Sequence, residues 1–144
     1  MAVAIALDSA VVFGASVLLY ANSLEGGFVF DDHRGILSND DLNPSKTELQ
    51  DLFYHDFWGG HMNREQSHKS YRPVTVLTYR YLNYAIHELE PYGYHVVNVL
   101  CHAVASLLFL WLCRAFFKEE GGRWSLFAAM LFALHSVHTE VVSG

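Results

Sequence analysis

Residues Val96–Cys113 read VVNVLCHAVASLLFLWLC, eighteen positions without one charged side chain. About 20 predominantly apolar residues, rising 1.5 Å each along a helix, cross a hydrocarbon core, so this run predicts a membrane span. Asn98 and His102 interrupt it and are the feature that favours a buried soluble helix instead.

Two further runs flank it. Met1–Leu24 is nearly free of charge, and Trp124–Leu134 is uncharged and continues into HSVHTEVVSG. The chain thus predicts an all-α membrane protein with spans at about 4–24, 95–113 and 124–143. No Lys or Arg precedes Arg34, so the first run lacks the basic segment of a secretory leader and reads as a span.

Between the first two spans lies a polar loop, residues 25–94, and between the second and third a short turn, residues 114–123. The turn holds three Lys/Arg in ten residues, whereas the loop holds six in about seventy. Basic-residue density puts the turn in the cytoplasm and the loop in the lumen or exterior, although the absence of Lys or Arg before the first span favours the reverse. A net charge of -6 and the lack of any basic run exclude a nucleic-acid-binding surface. Cys101 and Cys113 lie inside the second span, where they serve as small apolar residues.

Inside the loop, Ser45 and Glu48 have capping-box spacing ahead of Leu49, Leu52 and Phe53, which predicts an amphipathic helix at the membrane surface. A second is predicted from Pro73, with Val74, Leu77, Tyr81 and Tyr84 along its apolar stripe. A small folded domain is the competing reading of the loop.

Two clusters carry candidate chemistry. Asp31 and Asp32 follow Gly26, Gly27, Phe28 and Phe30 directly behind the first span, where a carboxylate suits a general base for a hydroxyl. A solvated turn is the plain alternative. His135, His138 and Glu140 close the third span. His135 and His138 share a helix face, while Glu140 joins them only if the helix breaks, so these residues alone predict no metal site. With the turn cytoplasmic, both clusters fall on one side of the membrane. Lys69 and Arg72 add positive charge suited to a phosphate.

The segments FVFDD, NDDL, DFWG, SHKSYRPVTVLTYR, GYHVVNVLCH and LFALHSVHTE occur in an order that resembles the N-terminal region of the transmembrane and tetratricopeptide-repeat protein O-mannosyltransferases. The resemblance implies a multi-pass enzyme of the endoplasmic-reticulum membrane, of the glycosyltransferase C type. It would move mannose from dolichyl phosphate mannose to Ser or Thr hydroxyls of cadherin-type acceptor proteins, with Asp31 and Asp32 as its acidic pair and Asp31 preferred as base. Family members continue into further spans and repeats, so a fragment, inactive by itself, is expected. Whether a divalent cation is required stays open. The rival reading is a non-catalytic membrane protein or a metal- or proton-coupled transporter subunit using the nine histidines.

Overall fold

The computed structural model describes residues 2–117 and 122–143, so part of the turn expected at 114–123 lies outside the described residues. These residues are mainly helical, with no strand among them. They divide into a span unit, Met1–Gly26 with His95–Gly144, and a loop unit, Gly27–Tyr94.

In the span unit, α1 (Ala2–Tyr20) runs on through a 3-10 turn, Ala21–Glu25, and α4 covers Pro91–Phe117 from its start in the loop unit. Both are long and apolar enough to cross a membrane. The second exceeds its predicted bounds at both ends, because Pro91 suits a first helical turn and no breaker intervenes before Phe117. Small side chains let the helices approach: Ser16, Ala103, Ser106, Ser125, Ala129 and Ala133 are all fully buried. Val12, Leu110, Ala129 and Ala133 form one core cluster, and Tyr20, Val99 and Val142 another. Asp8 pairs with Arg114, joining α1 to α4.

The third apolar run is not one straight helix. α5 (Arg123–Ala133) is followed by a 3-10 turn, Ser136–His138, and α6 (Thr139–Ser143), bent by 41° at the break. An unbroken helix would bond the Val137 N–H to the Ala133 carbonyl. Here the Val137 N–H goes to His135 Nδ1 (3.1 Å), and His102 Nε2 donates to the Ala133 carbonyl (3.0 Å). Two histidine side chains therefore replace one backbone bond, and the Tyr20 hydroxyl adds a bond to the His135 carbonyl (3.2 Å). The two segments together pass as a span only if counted as a single broken one.

The loop unit folds around its own core of Ile36, Leu42, Leu52, Phe57, Val76 and Tyr94. The helix expected after Ser45 does not form. The Asn43 side chain accepts from the Ser45 N–H (2.9 Å), an alternative to helix capping, and only a 3-10 turn, Asp51–Tyr54, follows. The helix expected from Pro73 does form, as α2 (Pro73–Thr78), a π-helical stretch Tyr79–Tyr84 and α3 (Ala85–His87). Its buried positions are Val76, Arg80 and Asn83 rather than the predicted stripe, of which Val74 and Tyr81 are exposed. Arg80 turns inward because its guanidinium finds two carbonyls, those of Asp41 (2.9 Å) and Thr47 (2.7 Å).

Candidate functional site

The acidic pair sits in a tight turn that leads into a π-helical segment, His33–Leu37. Phe30, just before it, is fully exposed and holds φ +42, a left-handed backbone that costs a bulky residue about 1–3 kcal/mol. Asp32 is half-buried and accepts from the Val29 N–H (3.0 Å), so its carboxylate closes the turn. The Asp31 carbonyl accepts from the N–H groups of Arg34 (3.1 Å) and Gly35 (2.8 Å), while its carboxylate stays exposed. One acid is thus committed to the backbone, and its neighbour is exposed.

Phe57 fixes this turn to the rest of the loop unit. A side chain at Gly35 would meet the Phe57 ring at 3.0 Å, so the turn seats closely on that ring. Around the same ring lie Trp58 at 4.8 Å and Tyr79 at 6.2 Å between ring centroids, with the Arg72 guanidinium at 5.1 Å. Burial raises the pKa of the Tyr79 phenol, Asp32 raises it further and Arg72 opposes the rise. Asp32 and Arg72 therefore act on one phenol with opposite signs.

Asn39 ties the turn down from behind. Its Nδ2 donates to the carbonyls of Gly35 and Phe57 (both 3.1 Å), and its Oδ1 accepts from the Asp41 N–H (3.0 Å). Asp41 is buried and bonds His55 Nδ1 at 2.8 Å. Asp56 is also buried and accepts from the Ser67 hydroxyl (2.5 Å) and the N–H groups of Trp58 and Gly60 (both 3.0 Å). Burial pushes its carboxyl up, but those bonds outweigh it and hold the pKa below the ordinary value.

Lys69 and Arg72, paired in the sequence reading, differ in the structure. Lys69 adopts φ +57 and spends its ammonium on the carbonyls of Met62 and Arg64. Arg72 is exposed and meets no carboxylate among the described residues. In the span unit, His135 and His138 do come together, with rings 6.4 Å apart, but across the break rather than on one helix face. His138 packs against Phe132 (4.6 Å) and His102 (4.9 Å), and Glu140 is exposed in α6. No group of three or more metal-ligating side chains occurs among the described residues.

Sequence reasoning did not single out Asn39, Asp41, His55 or Tyr79. The available signal was the N-x-D of Asn39 and Asp41, an Asx turn whose side chain bonds the backbone two residues on.

Two apolar helices able to cross a membrane, joined by a folded polar insert with an acid turn, define a membrane protein with a candidate site outside the spans. The chain is 56% identical, over 87% of its length, to protein O-mannosyl-transferase TMTC3 of Mus musculus. It is 51% identical over 92% to the Homo sapiens protein of the same name, and 45% identical over 93% to protein O-mannosyl-transferase TMTC4 of Mus musculus. It belongs to this family of transmembrane and tetratricopeptide-repeat protein O-mannosyl-transferases. The chain spans 13%, 14% and 19% of the length of those three relatives. No family model and no solved structure matches it.

Proposed function

We propose that this chain is the membrane-embedded, acid-bearing portion of a protein O-mannosyltransferase of the glycosyltransferase C type, in the endoplasmic-reticulum membrane. The broken third segment counts as a span, and residues 25–94 face the lumen. The donor is dolichyl phosphate mannose, and the acceptors are Ser or Thr hydroxyls of cadherin-type domains. The observation that carries this reading is the 56% identity over 125 residues to a protein of that name.

The chemistry follows from the acid turn. A hydroxyl is a weak nucleophile at neutral pH, and a positioned carboxylate supplies about 10²- to 10⁴-fold by taking its proton. Asp31 takes that proton as the acceptor oxygen bonds to the anomeric carbon. The bond from that carbon to the phosphate oxygen breaks, and its electron pair leaves on dolichyl phosphate. Arg72 is the favoured partner of the leaving phosphate, since its guanidinium has no carboxylate to satisfy. Lys69 serves the phosphate only by giving up a carbonyl. His135, His138 and Glu140 are the span unit's substrate contacts.

The test is transfer by the full-length protein in detergent, with dolichyl phosphate mannose and a cadherin-domain acceptor. Mannose on Ser or Thr is expected, and an inactive full-length protein with intact donor binding contradicts the reading. The isolated chain transfers none, because three spans cannot enclose a lipid-linked sugar and a polypeptide. A glycosylation sequon introduced near Met62 acquires an N-glycan if the loop is lumenal.

A further inference from the structure

Away from the acid turn, the loop unit brings two imidazoles together at an isolated antiparallel bridge between His55 and His61, with ring centroids 5.8 Å apart. Each ring has one nitrogen already engaged, and the two partners are of opposite kinds. His55 Nδ1 meets the Asp41 carboxylate at 2.8 Å. A carboxylate only accepts, so Nδ1 carries the proton and, in the neutral ring, His55 Nε2 keeps a lone pair. His61 Nδ1 instead accepts from the Asn63 N–H at 3.2 Å, so in the neutral ring the proton sits on His61 Nε2. Neither Nε2 has a protein partner among the described residues.

One free nitrogen thus accepts and the other donates, and no direct bond links them. A hydroxyl is the simplest group that answers both, donating to His55 and accepting from His61. The surroundings narrow its source. The Tyr54 ring lies parallel to His61, 8° apart in plane at 6.4 Å, and is largely exposed. An exposed aromatic face for C–H groups beside a matched acceptor and donor makes the chemistry of a pyranose site.

We propose that Tyr54, His55 and His61, with Asp41 fixing the His55 tautomer, form a hexose-binding subsite in the loop unit. The choice of mannose as the hexose rests on the transferase reading above; the subsite itself does not. Its sugar comes either from the lipid donor or from mannose already carried by the acceptor.

The experiment is titration of the full-length protein in detergent, its histidines ¹⁵N-labelled, with methyl α-mannoside. The free protein is expected to show the Nδ1–H tautomer at His55 and the Nε2–H tautomer at His61, with both resonances moving on saturation. His61→Ala and His55→Gln each weaken binding about tenfold, the loss of one well-placed hydrogen bond. Asp41→Asn, which frees the His55 tautomer, does the same. Competition by dolichyl phosphate mannose assigns the subsite to the donor, and competition by a mannosylated Ser peptide assigns it to the acceptor. The same tautomer at both rings, or affinity unchanged in both His61→Ala and His55→Gln, overturns the inference. Failure of the sugar to bind at all overturns it too. A protein that binds mannoside through these residues but transfers no mannose leaves the subsite standing and removes the transferase reading alone.

Discussion

In the loop unit, Asn39, Asp56 and Arg80 are buried and each bonds to main-chain groups, so side chains do what a helix or sheet ladder does elsewhere. In the span unit the backbone bonds are made within helices, and side chains reach between elements chiefly where a helix breaks, as His102 and Tyr20 do, or near helix ends, as Asp8 and Arg114 do. The loop lacks regular structure to satisfy its interior, so Asn39, Asp56 and Arg80 each hold several segments at once. In the spans a polar contact is added to packing that stands without it. Losing one such side chain is therefore expected to cost more in the loop unit than in the spans.

Asn39→Ala is the strongest way to break that comparison. It removes three hydrogen bonds and leaves buried backbone groups unpaired, for a cost of about 3 kcal/mol or more. Hydrogen exchange over residues 31–37 of the full-length protein is expected to rise well above that of α1. Gly59→Ala comes next. Gly59 holds φ +78, and an added Cβ would meet Asn39 Oδ1 at 2.5 Å, so about 2 kcal/mol and a partial loss of the Asn39 bonds are expected in thermal melts.

Asp56→Asn is expected to cost about 1–2 kcal/mol at neutral pH, because an uncharged acceptor replaces a charged one. The sign with pH follows from its lowered folded pKa. The contribution is complete above the ordinary value of 3.8 and is lost as pH falls through the depressed folded value. Acid melts should show that loss in the parent and a smaller one in the Asn variant. In the span unit, His102→Leu removes one interhelical bond and is expected to cost about 1 kcal/mol, detectable as local exchange around Ala133. A larger loss there than for Asn39→Ala would reverse the comparison.

The spans and the loop were not equally legible in the sequence. Absence of charge over about 20 residues reports a span directly, and α1 and α4 lie where that absence put them. The break after Ala133 carries no Pro or Gly to mark it. It depends on His102, some thirty residues upstream, and on Tyr20 in another helix. In the loop, Ser45 and Glu48 matched a capping box, but Asn43 two residues earlier took the local hydrogen bond. Arg80 reads as solvent-facing by type, and its burial follows from carbonyls contributed by distant segments. Asp31 and Asp32 were visible as a pair; the division between them, one acid capping its own turn and one exposed, is a property of the fold.

That division gives the most direct test of the account. In the full-length protein, mannose transfer is measured for Asp31→Asn and Asp32→Asn at matched expression and donor binding. Asp31→Asn is expected to lower kcat about 10²- to 10⁴-fold with the melting temperature unchanged. Asp32→Asn is expected to lower it less and to loosen the turn. Equal, parent-level transfer by both variants would contradict a catalytic role for the acid turn.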